Sequence, residues 1–171
     1  MAKRSEVLFI GGRAGVGKSS VAFELHEQLY AAQIEHSVIE GDNLDLAYPR
    51  PWEHNLAEKN LSAMWRNYRA LGYRRLIYTN TVSVLQTEVL AAAMGDDPVV
   101  KAVLLRASDD TAATRLERRE SATTLELYLD KSRLRAAELE QQTPSWIWRV
   151  NTDDKDIPAV AGEILGLLGW T

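Results

Sequence analysis

Residues 12–19 read Gly12-Arg13-Ala14-Gly15-Val16-Gly17-Lys18-Ser19 and fit the pattern G-x-x-x-x-G-K-[ST] at every required position. An apolar run, Val7-Leu8-Phe9-Ile10, stands just before this loop, and a segment with helical spacing, from Ser20 onward, stands just after it. Strand, glycine-rich loop and helix in that order are the context in which the pattern holds phosphate. The glycines let the backbone turn until its N–H groups point into a concave anion nest. The opening of the helix adds unpaired N–H groups and the positive end of its dipole. Lys18 is expected to set a mobile charge on the β- and γ-phosphates, and the Ser19 hydroxyl to ligate Mg²⁺. A nucleotide-binding stretch from Gly12 to Ser20 follows. The alternative, a glycine-rich turn that binds nothing, would require neither the strand nor the helix.

The chain has 171 residues, enough for one α/β domain and too few for a P-loop core joined to a large helical lid domain. A net charge of −4 argues against bulk binding to nucleic acid or to anionic membranes. Fourteen Arg against six Lys suit the chelation of oxyanions. The absence of cysteine excludes disulfides, thiolate metal sites and thiol catalysis. With no signal peptide and no membrane-length apolar run, a cytoplasmic protein is expected, a monomer or homodimer acting on a small molecule.

One domain over 1–171 is expected, with strands at 7–11, 37–40, 74–79, 99–105 and 146–150. Helices are expected at 18–32, 56–71, 82–94, from Ser108 to near Arg119, 123–142, and from a cap at Asp156 to Leu168. Thr123-x-x-Glu126 has the form of a capping box for the fifth of these. Strands alternating with helices imply a parallel sheet covered on both faces, with every strand's carboxyl end on one edge. Ligands belong in that crevice.

Asp42, in Gly41-Asp42-Asn43 just past the second strand, falls on that edge. It can hold Mg²⁺ through water or orient and deprotonate an attacking hydroxyl, with Glu40 as the second candidate. The same three residues are also a good turn. Arg115, Arg118 and Arg119 lie one helical turn apart and can converge on phosphoryl charge, or they can form a solvated face with Glu117 and Glu120. Arg50, Trp52 and Arg66 are candidates for the acceptor side, while Asn151 and Thr152, after the fifth strand, are candidates for an adenine slot. Thr79-Asn80 ends the third strand without the aspartate that many P-loop proteins carry there, and no guanine-specific Asn-Lys-x-Asp follows the fifth. Trp65, Trp146 and Trp148 are expected in the core or an interface. His26, His36 and His54 lack metal-ligand spacing and are expected as isolated surface residues.

The loop at 12–19, the Gly41-Asp42-Asn43 turn and Arg115-Leu116-x-x-Arg119, in that order, resemble the small P-loop kinases. Relatives of that kind are shikimate kinase, gluconate kinase, adenylylsulfate kinase and chloramphenicol phosphotransferase. The resemblance implies a five-stranded parallel sheet ordered 2-3-1-4-5 and a short lid near 115–124. It also implies transfer of the γ-phosphoryl group of ATP to a small-molecule hydroxyl. Asp42 would lie near the acceptor, Arg115 against adenine or phosphate, and Arg119 on phosphate. The acceptor itself stays open. A module that binds ATP without turnover and a toxin-type kinase of nucleotide sugars are the rival readings.

Overall fold

The computed structural model describes residues 4–119 and 121–170. Its centre is β1 (Glu6–Gly11), whose residues Val7, Leu8, Phe9 and Ile10 are all fully buried. A strand buried on both faces must be covered on both faces, and this sheet is. β2 (Ser37–Glu40), β3 (Arg75–Thr79), β4 (Val99–Arg106) and β5 (Trp148–Asn151) complete it in the order β2-β3-β1-β4-β5. All four pairings are parallel, which is the expected topology.

The two-residue period of β1 divides the core. Val7 and Phe9 point into a cluster with Leu61 and Trp65 of α2 (Leu56–Ala70), Leu90 and Met94 of α3 (Thr87–Met94) and Leu139 of α5 (Ala122–Gln142). Leu8 and Ile10 point the other way, onto Leu25 and Leu29 of α1 (Lys18–Ala31) and Ile164 and Leu168 of α6 (Ile157–Leu168). The remaining helix, α4 (Asp109–Glu117), buries Ala112 and Leu116. No helix among the described residues is long and apolar enough to cross a membrane.

Four expectations need correction. The helix expected over 82–94 is two pieces, a 3₁₀ turn at Ser83–Leu85 and then α3. Asn80 causes the break, because its Oδ1 accepts the Val82 N–H at 2.9 Å while its carbonyl accepts the Ser83 hydroxyl at 3.0 Å. α4 stops at Glu117, and the N-cap of α5 is Ser121 rather than Thr123. Glu120 lies outside the described residues, as does the Thr123 side chain, on which the proposed capping box depends. The fifth strand starts at Trp148 because the Ile147 N–H turns back to the Pro144 carbonyl at 3.2 Å. That turn leaves Trp146 53% exposed, which removes the core from the two places, core or interface, expected for it. Trp65 is fully buried and Trp148 packs half-buried against the α1–α6 side, as expected of core residues.

Trp65 anchors α2 to the sheet and also donates its indole N–H to Asp96 at 3.1 Å. Trp65→Ala should therefore cost about 3–5 kcal/mol of unfolding free energy in urea titrations, by loss of burial plus a residual cavity. A cost under about 1 kcal/mol would place the main core elsewhere.

Candidate active site

The loop between β1 and α1 runs under α4. Gly15 has a φ of 82°, and a Cβ there would lie 2.8 Å from the Ala112 carbonyl. Only glycine fits both that backbone and that gap. The cap position of α1, Gly17, carries no side-chain hydrogen bond, so the first-turn N–H groups of the helix stay open. Lys18 is half-buried and bends back to donate to the carbonyls of Gly12 at 2.8 Å and Arg13 at 3.3 Å. Burial is the largest influence on this ammonium and pulls its pKa down to about 8. Asp42 and Glu40 oppose the shift and Arg119 adds to it. Lys18 therefore sits within electrostatic reach of groups from β2 and from the segment after α4.

Arg13 does not face this nest. Its side chain is 5% exposed and points outward, pairing with Asp109 of α4 and donating to the Ser132 hydroxyl of α5 at 2.9 Å. Ser132 in turn donates to the Ala14 carbonyl at 3.0 Å. Its guanidinium thus ties the loop to α4 and α5. Arg115 reaches back from α4 in the opposite sense. It donates to the Val16 carbonyl at 2.9 Å and to the Thr152 hydroxyl at 3.1 Å.

Arg115, Arg118, Arg119, Thr152 and Lys155 line a cavity of about 290 Å³ beside Gly15, Gly17 and Ser20, with Val21, Ile157 and Val160 as its apolar wall. Asn151 does not line it. Its side chain is exposed and its Oδ1 accepts the Asp153 N–H at 3.2 Å. Lys155, Ile157 and Val160 were not singled out from the sequence. Only the period of the last helix hinted that Val160 was buried, and nothing local marked Lys155.

On the other side of the loop, the end of β2 carries a second site. Ser19 donates to Glu40 Oε2 at 3.0 Å, so the carboxylate partner of this hydroxyl is Glu40 and not Asp42. Glu40 pairs in register with Thr79 of β3. Glu40 Oε1 and Thr79 Oγ1 are both buried without a hydrogen-bond partner. Buried oxygens left unpaired cost free energy, and hard oxygen donors of this kind suit Mg²⁺. No cluster of three or more acidic or His side chains among the described residues could hold a metal. A cation here would draw its remaining ligands from phosphate and water.

Asp42 instead faces a larger cavity, of about 510 Å³, that opens between β2, α2 and the turn after β3. It keeps solvent access, yet loss of water around it holds its carboxyl above the usual Asp value. Lys18 pulls in the opposite direction, Asp45 raises the value further, and a backbone hydrogen bond from Thr81 lowers it. Arg50 and Trp52 stand at this cavity's rim, with the guanidinium 4.6 Å from the indole centroid. Arg66 is not among its walls. It lies one residue past Trp65, about 100° round α2 from the buried stripe, and is exposed. Asp45, Glu58, Tyr78, Asn80 and Gln86 also line the cavity and were missed. The polar loop before α2 gave no period from which to place Asp45, and Tyr78 reads from sequence as an ordinary core residue of a buried strand.

His26 and His36 are not isolated. Their rings meet at 2.8 Å, Nδ1 to Nε2, they line neither cavity, and burial holds His36 below the usual His value.

The adenylylsulphate kinase family model matches residues 4–62, which carry β1, the loop, α1 and β2. No curated protein matches the chain by sequence. Among solved structures, the chain is similar to the tunicamycin resistance protein of Deinococcus radiodurans, at 24% identity over 98% of both chains with a TM-score of 0.65. It is similar to the APS kinase of Mycobacterium tuberculosis in complex with AMPPNP and APS, at 24% identity over 97% of this chain and 98% of that one, TM-score 0.60. The shikimate kinase of Acinetobacter baumannii in complex with shikimate aligns at 13% identity over 97% and 93%, TM-score 0.62.

Because Lys18 has a pKa near 8 without ligand, a polyphosphate seated in the nest should restore its proton. Calorimetry at pH 8 in buffers of differing ionisation enthalpy should show uptake of about half a proton per nucleotide bound. Uptake should vanish in Lys18→Met. Uptake that persists in that variant would assign the proton to another group.

Proposed function

Starting from the fold of the P-loop small-molecule kinases, which this chain has, we propose an ATP-dependent kinase that phosphorylates a hydroxyl group of a small molecule. The observation that carries the reading is a pair of cavities, one lined by cations that include Arg119 and one by carboxylates that include Asp42, both of which act on the Lys18 ammonium. A protein that only binds nucleotide needs the first cavity and has no use for the second.

In this reading the open N–H groups of α1 and the Lys18 ammonium hold the β- and γ-phosphates. Arg115 and Thr152 shape the slot for the base, and Arg119 neutralises charge on the transferring group. Ser19, Glu40 and Thr79 are the residues that would hold Mg²⁺. When bound, the ion would supply neutralisation of phosphate charge. Asp42 orients the acceptor hydroxyl and takes its proton while the hydroxyl oxygen bonds to the γ-phosphorus. The bond from that phosphorus to the β–γ bridging oxygen breaks, and ADP leaves. A carboxyl held above its usual pKa is a better base than an ordinary Asp.

Lys18→Ala should lower kcat/KM for phosphoryl transfer by about 10²–10³, the loss typical of one preorganised charge-stabilising donor. Unchanged transfer would overturn the proposal. Asp42→Asn should abolish turnover while nucleotide binding persists. It should also stabilise the fold at neutral pH. A carboxyl whose folded pKa is raised stabilises the fold only below its unfolded value and loses that contribution as pH rises through the folded one. The gain should therefore shrink as pH falls toward 3.8, the ordinary Asp value, which thermal melts across that range would read out.

A further inference from the structure

The acceptor cavity carries a charge pattern from which its ligand class can be argued, on the premise that the kinase reading above is right. Asp42, Asp45 and Glu58 all line it, and Arg50 is the single cation among its described walls. That guanidinium is at the rim, stacked on Trp52 rather than sunk into the cavity. The deeper wall is Tyr78, which is 1% exposed. The ring reaches this place because residue 41 is glycine. A Cβ on Gly41 would lie 2.4 Å from the Tyr78 hydroxyl oxygen. Its phenol thus lines the cavity, where the hydroxyl can both donate to and accept from a ligand. Burial, and after it the surrounding carboxylates, hold its pKa far above the usual tyrosine value, so it keeps its proton and can donate.

From this we infer that the acceptor is an uncharged or cationic hydroxyl compound, not an anionic one. A sulfate, phosphate or carboxylate on the acceptor would have to sit against three carboxylates in a partly desolvated space, facing one rim arginine. Hydroxyl and ammonium groups, by contrast, can donate to Asp45 and Glu58 while Asp42 takes the reacting hydroxyl. Tyr78 then donates to an ether, carbonyl or hydroxyl oxygen of the same molecule. A volume of about 510 Å³ suits a compound the size of a sugar or nucleoside.

The test uses the full chain loaded with Mg²⁺ and a non-hydrolysable ATP analogue. The loaded protein is titrated calorimetrically with three size-matched panels. The anionic panel holds adenylylsulfate, shikimate and gluconate. The uncharged panel holds neutral sugars and nucleosides, and the cationic panel holds amino sugars and aminocyclitols. At least one uncharged or cationic compound should bind tenfold or more tighter than every anionic one. Tighter or equal binding of an anionic compound would overturn the inference, as would the absence of binding throughout the uncharged and cationic panels. Failure of the kinase reading shows earlier and separately, as failure of the analogue to load. The best ligand is then titrated into the Asp45→Asn/Glu58→Gln double variant and into Tyr78→Phe, with circular dichroism confirming the fold. The double variant should lose about tenfold of the discrimination against anions, and Tyr78→Phe should lower affinity for every ligand. Discrimination unchanged in the double variant would remove these carboxylates from the argument.

Discussion

A phosphate nest is an unstable object by itself. It consists of backbone N–H groups that point at one another's space and have no partner until a ligand arrives. Something outside it must hold it open. Two arginines do so here, and from opposite directions. Arg13 leaves the loop and locks into Asp109 and Ser132, while Ser132 returns a hydrogen bond to Ala14. Arg115 comes down from α4 onto the carbonyls of Val16 and Gly15. Carbonyls that would otherwise turn inward are thus held outward, and the N–H groups face the ligand. α4 is the common anchor of both ties. The loop, the helix above it and Thr152 beyond β5 are therefore one unit, and displacement of α4 would move all three.

The charges around Lys18 follow the same economy. Its ammonium has lost water and spends its hydrogen bonds on Gly12 and Arg13, carbonyls it can exchange for phosphate oxygens. Glu40 and Asp42, two residues apart on the end of β2, leave the sheet in different directions. One engages Ser19 and leaves an oxygen unpaired; the other faces the large cavity. Two carboxylates set apart in this manner can serve different tasks, one on a cation and one on a proton. The aspartate missing from the end of β3 is offset by Glu40 on the neighbouring strand, with Thr79 completing the oxygen set.

Much of the fold was legible because strong periodic signals carried it. A four-residue apolar run before a glycine loop permits little but a central buried strand, and the helical stripe through Leu61 and Trp65 permits little but a covering helix. The failures share one cause. Breaks set by a side chain turning on its own backbone, such as Asn80 splitting the third helix, leave no periodic trace. Arginine was the least legible residue. Arg13 sits inside a ligand motif yet serves the scaffold, and Arg66 sits on a suitable helix yet faces away. Only the angle about a helix axis, or the partner 119 residues away in Arg13's case, separates such roles. Of the acceptor cavity the sequence showed Asp42, Arg50 and Trp52 and hid Tyr78, because a tyrosine in a buried strand ordinarily means packing.

The two cavities have opposite signs, and that opposition bears on the order of events. One is lined by Arg115, Arg118, Arg119 and Lys155, the other by Asp42, Asp45 and Glu58, and Arg119 from the first and Asp42 from the second both act on the Lys18 charge. Triphosphate carries several negative charges, so the field that draws it to the first cavity also keeps it out of the second. Once it is seated, its charge reaches Asp42 as well as Lys18. It stabilises the ammonium and raises further the proton affinity of the carboxylate. On the proposed reading, the base would thus be strongest when the phosphoryl donor is in place and weakest when it is absent. An acceptor that entered an empty enzyme would meet a carboxylate whose charge Lys18 partly satisfies. One that enters after the nucleotide meets a carboxylate free to take its proton.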